Sequence, residues 1–84
     1  MITLTRVYFQ DGKHLSFEDF NDVDALMGAF ERKETVRIRT SPICPDVTIN
    51  LGMVTFVEHC ADAYYARNDA SIRRYRGGAI VNGE

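Results

Sequence analysis

Two histidines and two cysteines are the side chains in this chain that could hold a metal ion or act as nucleophiles. They are His14, Cys44, His59 and Cys60. Four such ligands would suit zinc, but zinc sites usually draw on close pairs such as C-x₂-C or H-x₃-H. The sequence has no such pair, and the adjacent His59 and Cys60 point apart in either a strand or a helix. We therefore expect no metal, no other cofactor and no disulfide.

Cys44 lies between two prolines, in a segment that cannot continue a strand, so it is the best candidate for an exposed nucleophile. Nucleophilic catalysis also needs a base within hydrogen-bond reach and donors for the developing negative charge. No motif in the sequence places either group near Cys44. Gly77-Gly78 is not followed by the helix that a phosphate-binding loop requires. The sequence therefore favours a protein that is not an enzyme.

Charge is unevenly distributed along the chain, although the net charge is only −2. Residues 11–24 carry five acids and one lysine, whereas residues 67–76 carry four arginines and one aspartate. Arginine makes directional contacts with carboxylates and phosphates, and tyrosine adds contact area, so the basic segment is a candidate partner-binding surface. Its residues are Tyr64, Tyr65, Arg67, Arg73, Arg74, Tyr75 and Arg76. A second, acidic candidate surface comprises Glu18, Asp19, Asp22 and Asp24. The alternative is that both charge clusters are ordinary solvated surface.

Two strands are predicted to open the chain. Residues 2–9 are rich in β-branched and aromatic types, and the Asp11-Gly12 turn then leads into a second strand at residues 13–17. The apolar positions change parity within the first strand, which indicates either a bulge near Thr5 or burial on both faces.

A helix is predicted over residues 18–33, because apolar residues recur there at helical spacing. Acids at its start and bases at its end would complement the helix dipole. The predicted buried stripe is Phe20, Val23, Leu26 or Met27, and Phe30. The predicted partners of this stripe in the sheet include Phe9, Val36, Ile38 and Phe56.

The second half of the chain is predicted to begin with three strands and to end mostly as helix. The helix covers residues 59–76, with a final short piece at 72–76 that Gly77-Gly78 ends. Residues 79–81 could add an edge strand. The three strands are at residues 35–40, 47–49 and 53–58, with a loop at 41–46.

The predicted element order is β-β-α-β-β-β-α, which indicates an α+β fold. We expect a small, mostly antiparallel sheet with one helix packed across it and a C-terminal helix, and a β-grasp-like arrangement is one option. The 84 residues fit a single compact domain with a short tail at residues 77–84.

Three classes of function remain, and the acidic pI of about 5.6 favours a protein-binding module over a nucleic-acid binder. Such a module would act as an inhibitor or adaptor, as phage and mobile-element proteins of this size do when they block defence factors. The alternative is a nucleic-acid binder that uses Arg37, Arg39 and the arginines of 67–76 with stacking tyrosines. The third class is a small enzyme or metal protein.

The location is expected to be cytoplasmic. The N-terminal segment lacks the pattern of a signal peptide, and no apolar run approaches the ~20 residues of a membrane span, so no membrane partner is expected. Monomer and homodimer both remain open.

Overall fold

A computed structural model describes residues 2–61 and 67–81. This part of the chain forms an α+β fold, which confirms the predicted class. None of its helices is long and apolar enough to cross a membrane. The elements are β1 (Leu4–Phe9), β2 (His14–Glu18), α1 (Val23–Glu31), β3 (Thr35–Arg39), β4 (Val47–Asn50), a 3₁₀ turn (Leu51–Met53), β5 (Val54–Cys60), β6 (Arg73–Arg76) and β7 (Ala79–Ile80).

The strands form two sheets, whereas the sequence predicts one. The larger sheet has the order β5-β1-β2-β6 and the smaller has the order β4-β3-β7. β1 pairs antiparallel with both β5 and β2, and β6 pairs parallel with β2. β5 and β6 are therefore parallel strands at opposite edges of the larger sheet.

The hydrophobic core lies where the two sheets and α1 meet. The helix packs on β3, β5 and the 3₁₀ turn, and it buries Leu26 and Ala29. Met27 is 38% exposed and Phe56 is 48% exposed, so their predicted places in the core are wrong. Phe9, Val23 and Phe30 are partly buried against the core. The predicted core residues that are buried are Phe20, Leu26, Val36 and Ile38.

The first strand is buried on both faces, which resolves the change of parity in its sequence. All four residues from Leu4 to Val7 are buried. One face meets the core, and the other lies under the segment that leads to β6, because Arg6 on β1 contacts Asp69. The pairing with β5 is also irregular, but the register shift lies between Tyr8 and Phe9.

The helix is shorter than predicted at its start. Glu18 completes β2 because it pairs with Leu4, and Asp19 has a positive φ of 51°, which turns the chain out of the strand. Asp22 then occupies the N-cap position, and Asp24 is the acid of the first turn. Glu18 and Asp19, which the local pattern assigns to the helix, therefore belong to β2 and to the turn that follows it.

The prediction of a helix over residues 59–76 is wrong for the two parts of this range that form strands. His59 and Cys60 extend β5, and the predicted final helix at 72–76 is instead strand β6. β6 forms hydrogen bonds with the edge of β2, which is distant in sequence. Local strand propensity does not predict such a pairing.

The glycine pair after β6 turns the chain between two strands rather than ending a helix. Gly77 has a φ of 73° and Gly78 a φ of 133°. A Cβ on Gly78 would lie 3.1 Å from Phe20 Cδ1, so this position also needs glycine for close packing. The next two residues pair with β3, which confirms the predicted edge strand.

Candidate protein-docking surface

Strand β6 holds two of the predicted arginines beside an acid of the neighbouring strand. Arg74 Nε lies 2.6 Å from Glu18 Oε2, and Arg76 Nε lies 3.6 Å from Glu18 Oε1. Glu18 is 13% exposed, whereas Arg76 is 89% exposed. A long contact to so exposed a guanidinium adds little stability. Arg76 therefore remains accessible to an external carboxylate or phosphate.

Alternation along β6 sends its other two residues to the opposite face. Tyr75 stacks on Phe17 of β2, with ring centroids 5.1 Å apart and ring planes 17° from parallel. Arg73 is exposed, and together with Tyr75 it lines a hollow on the protein surface. The basic residues predicted to share one surface are thus divided between the two sides of an edge strand.

The remaining predicted binding residues lie before β6. Arg67 is exposed. Tyr64 and Tyr65 fall outside the residues that the structure describes, so their proximity to the arginines stays a prediction.

Three of the four predicted acidic surface residues have partners within the protein. Glu18 faces β6. The Asp19 carboxylate accepts hydrogen bonds from the backbone N–H and the hydroxyl of Thr3. The Asp22 carboxylate accepts a hydrogen bond of 2.8 Å from the N–H of Ile80, which ties β7 to the start of the helix. Asp24 is exposed. These contacts indicate a structural role for most of the cluster.

Arg37 and Arg39, assigned to nucleic acid in the alternative hypothesis, converge on one carboxylate of the protein itself. Arg39 Nε lies 3.1 Å and Arg37 Nε 3.3 Å from the oxygens of Asp46. The hydrogen bond from Arg39 and the charges of both guanidiniums lower the pKa of Asp46. Asp46 is therefore ionised at neutral pH and offsets part of the positive charge on this face.

A shallow depression, here named the trough, runs between residues 39–47 and residues 73–79. It consists of two adjoining hollows of about 320 and 340 Å³ that share Thr40. Arg73 and Tyr75 form one wall of the first hollow. The residues of its opposite wall are Cys44, Pro45, Asp46 and Val47. Two aliphatic side chains near these walls in sequence are largely exposed, Ile43 at 91% and Ile72 at 59%.

A buried ionic network on the outer face of the larger sheet is absent from the sequence prediction. Arg6 Nε donates to Asp69 Oδ1 at 2.9 Å, and Arg6 also lies 3.4 Å from Glu58. The Ser71 hydroxyl donates to Asp69 at 2.8 Å, and His14 Nε2 lies 3.6 Å away. The Asp69 side chain is only 1% exposed. The sequence feature that points to this network is Arg6, a charged residue among the apolar residues of the first strand.

This network keeps Asp69 ionised. Burial raises the pKa of Asp69, but the hydrogen bonds from Ser71 and Ser16 and the nearby Arg6 lower it further than burial raises it. Asp69 therefore has a pKa below its usual range. Burial and the hydrogen bond to Glu58 raise the pKa of Tyr8, whose hydroxyl donates to that carboxylate at 2.9 Å. The network is a set of paired charges that fixes the segment around Asp69 to the sheet.

The candidate metal ligands and nucleophiles do not form one site in the described chain. His59 Nδ1 lies 3.0 Å from the Thr5 hydroxyl, and His14 faces Asp69. Cys44 is exposed and Cys60 is half-buried, and the two are not joined by a disulfide. No group of three potential metal ligands occurs among the described residues.

The arrangement is thus suited to binding through arginine, aromatic and aliphatic groups around the trough. Its guanidiniums can hold carboxylates or phosphates, and its apolar walls can cover aliphatic side chains. A comparison with protein-family models, curated proteins and solved structures finds no match to this chain.

Proposed function

We propose that this protein is a non-enzymatic binding module that docks onto an acidic surface of a partner protein. The contact surface is the trough, with Arg73 in its wall, together with the exposed Arg76 on the other face of the same edge strand. The single observation that supports this proposal is a concave surface lined by arginine, tyrosine and aliphatic side chains, namely Arg39, Arg73, Tyr75, Pro45 and Val47. Protein interfaces commonly combine arginine and aromatic residues with an apolar centre.

The charge on this surface favours an acidic partner. Arg73 and Arg76 are both exposed, and Asp46 is already held by Arg37 and Arg39. A carboxylate on the partner would therefore meet guanidinium groups before it met an acid of this protein. Electrostatic complementarity of this kind speeds association and excludes basic partners.

Protein is favoured over nucleic acid because acids within the protein already bind several of the arginines and the net charge of the chain is −2. The two arginines of β3 are each bound to Asp46, and the Arg74 guanidinium contacts Glu18. A nucleic acid carries a phosphate at every nucleotide and is bound by a run of cations, whereas a protein surface can present a few carboxylates to Arg73 and Arg76. An inhibitor or adaptor requires docking alone, which is consistent with a surface that offers binding groups.

The proposal is tested by charge reversal with a matched control. The test variant is Arg73→Glu with Arg76→Glu, and the control is Lys13→Glu with Arg32→Glu, which makes the same change in net charge on other elements. Each tagged protein is used to capture proteins from a nuclease-treated lysate of its source cells. Captured proteins are identified by mass spectrometry, and the affinity of each purified candidate is then measured.

We expect one protein to be captured by the wild type and the control but lost with the test variant. Its purified form should bind the test variant at least tenfold more weakly, as expected when charged hot-spot contacts worth about 2 kcal/mol or more are lost. Equal affinity for the two double variants would refute the proposed surface. Capture that occurs in a parallel untreated lysate but is lost in the nuclease-treated one would favour the nucleic-acid hypothesis instead.

A further inference from the structure

We propose that the part of the partner recognised here is an extended, acidic peptide segment that lies along the trough. This inference rests on the proposed function and adds the form of the ligand. The trough is concave and is lined by two separate parts of the chain, so it suits a narrow segment better than a flat protein surface. The two hollows adjoin at Thr40 and together follow the chain from Val47 to Arg39 on one wall and from Arg73 to Ala79 on the other.

The walls provide space where an extended backbone would pass. In the second hollow, Gly77 has no side chain, and a Cβ added there would meet no atom within 4 Å. Pro42 and Pro45 stand on the opposite wall, and their fixed φ angles limit the loop to few conformations. A wall that is already ordered lowers the entropic cost of binding a flexible segment.

The chemistry of the walls predicts which side chains the segment carries. In the first hollow, Val47, Pro45 and the ring of Tyr75 offer apolar contact. Arg73 offers a guanidinium on the same side of β6 as Tyr75. Successive side chains of an extended peptide point to opposite sides. An alternation of carboxylate and aliphatic residues would therefore place the acids toward Arg73 on one wall and the aliphatic groups toward Pro45 and Val47 on the opposite wall.

Acidic rather than basic residues are required because the arginines outnumber the acids along the trough. Its charged lining consists of Arg39, Asp46 and Arg73. Asp46 accepts hydrogen bonds from Arg39 at 3.1 and 3.3 Å. A lysine of the ligand would thus find its carboxylate partner already occupied.

A pair of glycines gives a matched steric test. Gly77 and Gly12 both have positive φ, 73° and 89°, and neither would bring a new Cβ within 4 Å of another atom. Asparagine tolerates this backbone conformation better than most residues. Gly77→Asn therefore places a side chain in the trough, whereas Gly12→Asn places the same side chain in the turn between β1 and β2. Both variants should keep a melting temperature close to that of the wild type.

The probe is a fluorescein-labelled decapeptide of five Glu-Val repeats, and its Lys-Val counterpart is the control ligand. Binding is followed by fluorescence anisotropy. We expect the Glu-Val peptide to bind the wild type at least about tenfold more tightly than the Lys-Val peptide. Gly77→Asn should weaken the Glu-Val peptide by a similar factor, and Gly12→Asn by less than about twofold. Arg73→Gln, which keeps most of the side-chain volume, should also weaken it.

The outcomes separate this inference from the proposed function. If Gly77→Asn and Gly12→Asn bind the peptide equally, or if the Lys-Val peptide binds as well as the Glu-Val peptide, the inference is wrong. The proposed function still holds in that case if the purified partner loses affinity for the Arg73→Glu and Arg76→Glu variant. If Gly77→Asn proves unstable, the inference is tested by the affinity of the Arg73→Gln variant for the Glu-Val peptide and by the comparison of the two peptides on the wild type.

Discussion

Replacing Asp69 by alanine is expected to remove a large share of the stability of this protein. The Asp69 carboxylate is 1% exposed and accepts hydrogen bonds from Arg6 at 2.9 Å and Ser71 at 2.8 Å. Removing one partner of a buried ion pair costs about 3–5 kcal/mol, because the other charge stays buried without compensation. Arg6 keeps Glu58 at 3.4 Å, so we expect a loss near the lower end, about 3 kcal/mol.

This loss is large for a chain of 84 residues. At 0.05–0.15 kcal/mol per residue, the total stability is about 4–13 kcal/mol. A loss of about 3 kcal/mol corresponds to a fall of roughly 12–24 °C in melting temperature for a domain of this size. The measurement is urea unfolding followed by far-UV circular dichroism, with thermal unfolding as a second readout.

The control is an ion pair of similar geometry on the surface. Arg32 Nε lies 3.0 Å from Glu34 Oε2, but both side chains are largely exposed, so Glu34→Ala should cost less than about 1 kcal/mol. Arg6→Met combined with Asp69→Leu should be more stable than Asp69→Ala, because the double variant leaves neither charge of the buried pair without its partner. A loss below about 1 kcal/mol for Asp69→Ala would refute the assignment of Asp69 as a buried anchor.

The same network predicts how stability depends on pH. The pKa of Asp69 is lower in the folded protein than its ordinary value, so its contribution is fully present above about pH 4 and is lost as the pH falls through the folded pKa. Asp69→Asn should therefore have a shallower decline in unfolding free energy between about pH 4 and pH 2 than the wild type. Parallel declines in the two proteins would contradict the assigned shift.

Three further predictions concern the core and the turns. Leu26→Ala should cost about 3–5 kcal/mol because Leu26 is fully buried, whereas Met27→Ala should cost less than about 1 kcal/mol, and equal losses in urea unfolding would show that the helix face is misassigned. Gly78→Ala should cost more than about 1 kcal/mol, because it adds a Cβ against the core at a φ of 133°, and an unchanged melting temperature would contradict this. Asp22→Ala should cost about 1.5–3 kcal/mol and raise hydrogen exchange at the amide of Ile80, and unchanged exchange at that amide would exclude the cross-link.

The parts of the fold that follow from local patterns could be predicted from the sequence. Val36 and Ile38 alternate with Arg37 and Arg39, and β3 has this alternation of buried and exposed residues. The two prolines of residues 41–46 end that strand because they lack amide donors. In these segments the local preference of the chain and its tertiary environment agree.

The prediction failed where distant residues decide the structure. The sequence of β6 is three arginines and a tyrosine, which carries no strand periodicity, and its strand conformation depends on β2, more than fifty residues away in the chain. The role of Arg6 likewise depends on Asp69, 63 residues later. The composition of the chain therefore predicts a basic segment, but it does not predict that this segment is a strand or which strand it pairs with.

The placement of β6 links the buried network to the proposed docking surface. Ile72 donates its N–H to the carbonyl of His14 at 2.9 Å, and the Ser71 hydroxyl contacts both Asp69 and Ser16. These contacts immediately precede the first arginine of β6. They set where the strand begins on the edge of β2 and therefore which of its residues reach the trough. The buried charges around Asp69 fix the position of strand β6. The exposed guanidiniums of Arg73 and Arg76 do not set that position, so they are available for the proposed contact with a partner.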